Sequence, residues 1–303
     1  MDFEDKSIHD KYQDKIIFDY DIKSFRNDGY SKEINILQAD FDNRNRIIQA
    51  LLVSQYRQDI ASDHGLYLKP VILFKAQKLI AESHANKALF ESIIDSLQSE
   101  DFGEIQSKSQ NNLITKIFDY YTAKDPNLSH LVQTIKTEFG VGKVKITNTQ
   151  KNTAKEKESL DDDLVKLLNS LEDKTNKVRA IFTVNKLNEG WDVLNLFDIV
   201  RLYETRDAKN NKPGNTTISE AQLIGRGARY FPFDYEDSDR FKRKFDSDLN
   251  NELRILEELY YHSHNDSRYI SEINQALRDQ GWKDNDENRV ERTIEIKESH
   301  KNA

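Results

Sequence analysis

The sequence predicts an α/β fold, a parallel sheet with helices on both faces followed by a mainly helical C-terminal extension. Three observations carry this. Short continuous apolar runs such as KPVILF (70–75) and VRAIFTV (178–184) have the pattern of strands buried on both faces. They alternate with stretches whose apolar residues recur at helical spacing, which is the pattern of strand–helix–strand units. From Asp234 onward the strand runs give way to charged and helical sequence.

Taken in order, KIIFDY (15–20) and INILQ (34–38) read as short strands separated by a polar turn at Asn27-Asp28-Gly29. A helix follows from Arg44 to Asp59, where Ile47, Ile48, Leu51, Leu52 and Tyr56 share helical spacing. KPVILF is a strand that starts at its proline, and it leads into a long helix over 77–98. Two helices occupy 111–139, separated at Asp125-Pro126 because a proline disfavours helix in the residue before it. KVKITN (143–148) is a strand, and Leu160, Leu164, Leu167, Leu168 and Leu171 mark a helix over 158–172. VRAIFTV and FDIVRLY (197–203) are the next two strands. Helices are expected near 247–263 and 269–280, the second capped by Gly281, and RTIEIK (292–297) is one more strand. The expected division is 1–60 as a connector with short strands and a helix, 61–235 as the central α/β domain, and 236–303 as the helical extension.

At 303 residues the chain can bury one large core or two modest ones, with 37% hydrophobic and 32% charged residues. It has no cysteine, which excludes disulfides, thiolate zinc sites and thiol nucleophiles and fits a cytoplasmic setting. No run reaches membrane-spanning length, and the charged start MDFEDKSIHDKYQDK has no apolar signal core. The formal charge of −8 argues against wholesale coating of nucleic acid, but a local basic groove remains compatible with it.

The chemistry concentrates in two stretches, NEGWDV (188–193) and QLIGRGARY (222–230). Ligands of parallel sheets sit outside the carboxyl ends of the strands, and NEGWDV starts four residues after the run 178–184. Gly190 and Asp192 are therefore expected at that edge, the glycine giving room and the carboxylate accepting from a sugar hydroxyl or an arginine. The plainer reading is a turn in which Trp191 fills the core. In QLIGRGAR, Arg226 and Arg229 lie three apart and would share a helix face, with Gly225 and Gly227 removing bulk beside them. Two guanidiniums aimed at one point suit a phosphoryl group in transfer. The plainer reading is a pair of solvated surface arginines, against which the glycines argue, since a helix tolerates glycine poorly without a reason.

KPVILFKAQ, VNKLNEGWDV and QLIGRGAR, in this order, resemble motifs IV, V and VI of superfamily-two helicases and translocases. These motifs make up the second RecA-like domain of a two-domain motor. Within the superfamily the chain most resembles the restriction (Res) subunit of type III restriction-modification enzymes, through EGWDV, the polar loop 204–217 and the stretch 251–277. The resemblance implies a RecA-like fold for 61–235 and an ATP-dependent motor on duplex DNA. Arg226 and Arg229 would be arginine fingers on the γ-phosphate. Gln222 would orient Arg226 or the phosphate end, Asp192 would bind ribose or an arginine, and Gly190 and Gly225 would leave room for the nucleotide. Lys75, Lys78, Thr183 and Asn185 would touch the DNA backbone, with Val184 standing where many relatives have threonine. Gln222 stands where RNA helicases of the DEAD-box kind have histidine, which points towards DNA.

ATP hydrolysis also needs a glycine-rich loop ending in Gly-Lys-Ser/Thr and an acidic motif for Mg2+. GVGKV (140–144) lacks the earlier glycine and the hydroxyl residue, so ATP and Mg2+ are expected to be held mainly by a first RecA-like domain outside this sequence. Alone, the chain is expected to be inactive. Implied partners are that domain, a nuclease domain expected beyond Ala303, duplex DNA and a methylation subunit that sets specificity. Glu295-Ile296-Lys297, with Asp284 and Asp286 before it, fits a short nuclease pattern, but such patterns arise easily in charge-rich sequence. His262 and His264 are two apart, do not share a helix face, and read as surface residues at a helix end; no metal site is assigned. Arg240, Lys242, Arg243 and Lys244 read as a solvated basic face. Two other classes stay open: a nucleotide-excision-type repair helicase, against which the loop 204–217 speaks, and a non-catalytic RecA-like DNA-binding module.

Overall fold

A computed structural model describes residues 10–109, 111–147, 162–184, 193–205 and 212–284. Six strands form one sheet: β1 (Glu33–Ala39), β2 (Val71–Lys75), β3 (Val144–Thr147), β4 (Ala180–Thr183), β5 (Leu196–Arg201) and β6 (Glu258–His264). Their spatial order is β1-β6-β5-β2-β4-β3, and every neighbouring pair is parallel. The α/β fold read from the sequence is therefore the fold observed, a parallel sheet flanked by helices and consistent with a RecA-like domain.

Parallel strands joined by helical crossovers must be covered on both faces, and β2, β4 and β5 are buried almost throughout. One face packs against α2 (Asn43–Asp63), α3 (Ile80–Ser96), α4 (Phe102–Lys108), α5 (Asn112–Lys124) and α6 (Ser129–Phe139). The other packs against α7 (Asp162–Asn169), α8 (Asn215–Gly227) and α9 (Ser267–Asp279). Helix α2 starts where the Asp42 carboxylate accepts from the Asn45 amide at 2.8 Å, and it is buried over most of its surface because it packs between the sheet and α3 to α6. Between α5 and α6 the chain breaks at Asp125-Pro126 as expected, with the Asp125 carboxylate accepting the Asn127 and His130 amides.

Two elements differ from the sequence expectation. KIIFDY is not a strand; Ile17 and Phe18 are exposed, and Asp21 instead caps a short helix α1 (Ile22–Asn27) by accepting from the Ser24 amide. The expected helix at 247–263 is a 3-10 turn, Glu252–Glu257, followed by β6. Leu253, Leu256 and Tyr260 coincide with helical spacing, but ELYYHSH is buried on both faces between β1 and β5, where tertiary pairing overrides that period. The sheet signals thus continue past Asp234, and β1 and β6 share one sheet with the strands of 61–235. The expected strand 292–297 lies outside the described residues, as do Asp286 and the 295–297 pattern.

Candidate functional site

Helix α8 carries the first six residues of QLIGRGAR and runs from one edge of the sheet to the other. Near its start Glu220 meets Arg201 and Tyr203, at and just beyond the carboxyl end of β5. At its finish the Gly227 carbonyl accepts from the ammonium of Lys32, which directly precedes β1. Both glycines are required by packing. A Cβ on Gly227 would lie 2.7 Å from Leu259 Cδ1 and 3.1 Å from Leu196 Cδ2, so the helix sits down on the sheet where a side chain would prop it off. A Cβ on Gly225 would lie 2.7 Å from Trp282 Cε2; the indole, following α9, occupies that space.

At the amino edge, Arg226 is half-buried in the last turn of α8 and Arg229 is exposed, whereas Gln222, also exposed, lies further back along the helix. The shared helix face expected for the two arginines does not exist, because α8 ends at Gly227 and Arg229 sits in extended backbone bridged to Ser31. Asn185, Gly190, Trp191 and Asp192 lie outside the described residues. Their neighbours Val193 to Asn195 are described, and they lead into the amino end of β5: the Asn195 carbonyl accepts from the Val71 amide at 2.8 Å, and that of Leu194 from Lys32 at 2.7 Å. Val193, the last residue of NEGWDV, therefore leads into the amino end of β5, while Gly190 and Asp192, expected at the carboxyl edge, lie outside the described residues. Counting from the strand before the motif points to the carboxyl edge; its last residue is governed by the strand that follows.

At the carboxyl edge the register aligns Thr147, Thr183, Lys75 and Arg201 in a row across four strands. Of the residues expected to meet DNA, Lys78 is exposed, Thr183 is 2% exposed, and Lys75 is half-buried. The Lys75 ammonium donates to the carbonyls of Ala76 at 3.0 Å and of Val184. Burial pushes its pKa down to about 8, with Glu220 acting in the other direction. Beside it, Glu220 accepts from Arg201 Nε at 3.2 Å, from the Tyr203 hydroxyl, and from the Tyr269 hydroxyl at 2.7 Å. Arg201 donates onward to the Tyr203 and Thr205 carbonyls at 2.7 and 2.6 Å, which fixes the chain leaving β5. Neither Arg201 nor Glu220 was singled out in the sequence; a charged pair within apolar sequence was the only signal.

The histidines also differ from expectation. His262 lies inside β6, fully buried, with Nε2 3.0 Å from the Asp198 carboxylate. Asp198 in turn accepts from Arg57 of α2, whose Nε donates to the Ile255 carbonyl at 3.0 Å. Burial would raise the Asp198 carboxyl, but Arg57 and His262 more than offset it and hold it below the usual range. His264 is half-exposed, 3.9 Å from Asp40. The basic run 240–244 is not simply a solvated face. Arg243 donates to the Ser31 and Arg26 carbonyls at 2.6 and 3.1 Å, and Lys244 to the Tyr230 hydroxyl at 2.7 Å. Among the described residues no group of three or more His, Cys, Asp or Glu could hold a metal ion, and no helix is long and apolar enough to cross a membrane.

The chain is 37% identical over 231 residues to the probable type III restriction-modification enzyme HindVIP Res subunit of Haemophilus influenzae, an alignment covering 70% of this chain and 44% of that protein. It is 53% identical over 91 residues to an uncharacterized protein of the same organism, covering 29% of this chain and 20% of the relative. The family described as HI_1054_N, N-terminal region, matches residues 216–286, the stretch that holds α8, β6, α9 and Trp282. The chain spans less than half the length of either curated relative. Over most of its own length it is similar to a Res subunit of a type III restriction-modification enzyme.

Proposed function

We propose that this chain carries the second RecA-like motor domain of an ATP-dependent DNA translocase belonging to a type III restriction endonuclease. The observation that carries the reading is the meeting of two motif ends at the amino edge of the sheet. Leu194, two residues after Asp192, and Gly227, between Arg226 and Arg229, are held to the same ammonium. In this reading the amino edge faces the nucleotide. Arg226 and Arg229 place positive charge on the γ-phosphate, Gln222 orients them, and Asp192, with Gly190 beside it, reaches the ribose. Two guanidiniums on a half-buried and an exposed position fit a triphosphate brought by another domain. When bound, Mg2+ neutralises charge on the phosphates, and its ligands are assigned to the first RecA-like domain. Gly225 serves by seating Trp282 against α8.

The carboxyl edge is then the DNA side, with Lys78 the accessible cation and Lys75, Thr183 and Asn185 beside the phosphate backbone. The motor so proposed takes β1 and β6, from either side of 61–235, into its sheet. Its partners are the first RecA-like domain, a nuclease domain, a methylation subunit and duplex DNA. The test is DNA-stimulated ATP hydrolysis by this chain alone and by a chain that also carries the first RecA-like domain, each with and without Arg229→Ala. The reading expects turnover only in the longer chain and its loss on Arg229→Ala. Hydrolysis by the short chain, or indifference to Arg229→Ala, overturns it; with DNA binding retained, indifference favours a non-catalytic RecA-like module.

A further inference from the structure

Lys32 is 1% exposed, and among the described residues no side-chain carboxylate is hydrogen-bonded to it. Its ammonium has three protons and gives them to three carbonyls: Leu194 at 2.7 Å, Leu196 at 2.9 Å and Gly227 at 2.9 Å. The first two lie on the chain entering β5 from NEGWDV, and the third ends α8, where helix carbonyls lack intrahelical partners and attract cations. The main chain of the same segment repeats the link: the Lys32 amide donates to the Ala228 carbonyl at 2.6 Å, and Ser31 bridges to Arg229. The Phe197 ring lies 4.4 Å from the ammonium. Burial strongly opposes the charge, and Arg57 adds to the opposition while Glu172 and Asp198 relieve it. Methionine has similar length and would fill the space without that cost, so the lysine is there for its donors.

We propose that Lys32 is a positioning residue that fixes the backbone from Gly227 to Arg229, and with it Arg226 and Arg229, relative to the chain arriving from NEGWDV. This rests on the motor reading given above. Its own part is that an amino-edge lysine outside all three motif stretches sets the geometry of the arginines.

The test compares Lys32→Met, Arg229→Ala and Ile48→Ala. Ile48 is fully buried in α2 and serves as a destabilised control. In the ATP-hydrolysing chain that contains both RecA-like domains, Lys32→Met is expected to lower kcat on the order of tenfold or more with KM for ATP little changed, as misplacement of a transition-state group does. Ile48→Ala, with an equal or larger drop in Tm, is expected to leave kcat within about twofold. In the 303-residue chain, amide exchange across residues 222–231 is expected to quicken in Lys32→Met and not in Ile48→Ala. The proposal is overturned if Lys32→Met keeps kcat where Arg229→Ala loses it, or if exchange over 222–231 is unchanged. If Arg229→Ala also keeps kcat, the motor reading has failed, and the exchange measurement alone judges the clamp. Should Lys32→Met not fold, Lys32→Leu, which likewise lacks side-chain donors, decides by the same criteria.

Discussion

The two edges of the sheet present positive charge differently. At the carboxyl edge Lys75, Arg201 and Arg46 are turned inward, and their donors go to the carbonyls of Val184, Tyr203 and Arg201. At the amino edge Lys32 takes that internal task for the α8 terminus, as Arg243 does for the Ser31 carbonyl and Arg179 for that of Pro70, while Arg226 and Arg229 flank the carbonyl that Lys32 holds. Both edges thus use buried cations as scaffold for backbone carbonyls; at the amino edge two guanidiniums of one motif lie beside them, one half-buried and one exposed. Counting basic residues in a motif therefore says little about which are available to a phosphate, and the location of their backbone acceptors says more.

The largest effect that would break this comparison is on the arginines. In a chain able to hydrolyse ATP, Arg229→Ala is expected to cost about three orders of magnitude in kcat, the usual worth of an arginine finger, while Lys78→Ala should mainly weaken DNA binding and flatten its salt dependence. Equal loss from both variants in both assays would erase the distinction between the edges. Next comes the buried Asp198. Asp198→Ala leaves the Arg57 guanidinium buried without its carboxylate, and urea unfolding should show a loss of about 3–5 kcal/mol. A loss below about 1 kcal/mol would mean that Arg57 finds another partner. Gly227→Ala drives a methyl into Leu259 and Leu196 and is expected to cost about 1–3 kcal/mol, with ATP turnover falling further than stability because α8 is lifted at its arginine end.

The smallest effect sharpens the carboxyl edge. With its pKa pushed down to about 8, folded Lys75 gives up its proton as pH rises through about 8, whereas the unfolded chain holds it to roughly 10.4. The wild type should therefore gain stability relative to Lys75→Met between those values, and a phosphate contact made by Lys75 should weaken over the same range. Melting curves at about pH 7 and about pH 9.5 that shift in parallel for the two proteins would show that the ammonium is not strained by burial.

Strands β1 to β5 were legible because each is a short apolar run bounded by polar turns, a signal that survives without knowledge of partners. The run in β6 was not, since Leu253, Leu256 and Tyr260 satisfy a helical period, and only the gap between β1 and β5 makes a strand of Glu258–His264. KIIFDY shows the converse: strand composition alone does not make a strand. In QLIGRGAR the sequence marked the glycines as unusual for a helix, but what they answer to is Trp282 and Leu259, both distant in the chain. Lys32 carries no local mark at all. Its meaning comes from three carbonyls, at 194, 196 and 227, that only the folded topology assembles.

The position of β6 also sets an order in time. β1 is a border strand whose partner in the sheet is β6, with Glu33 opposite Glu258 and Ala39 opposite His264. A ribosome delivers residues 258–264 more than about 200 residues after residues 33–39, so β1 waits through that stretch of synthesis for its place. Until then it has no strand to pair with, and closing so long a loop is the slow step that contact order anticipates. Completion of the sheet thus reports that the chain has been read at least as far as His264.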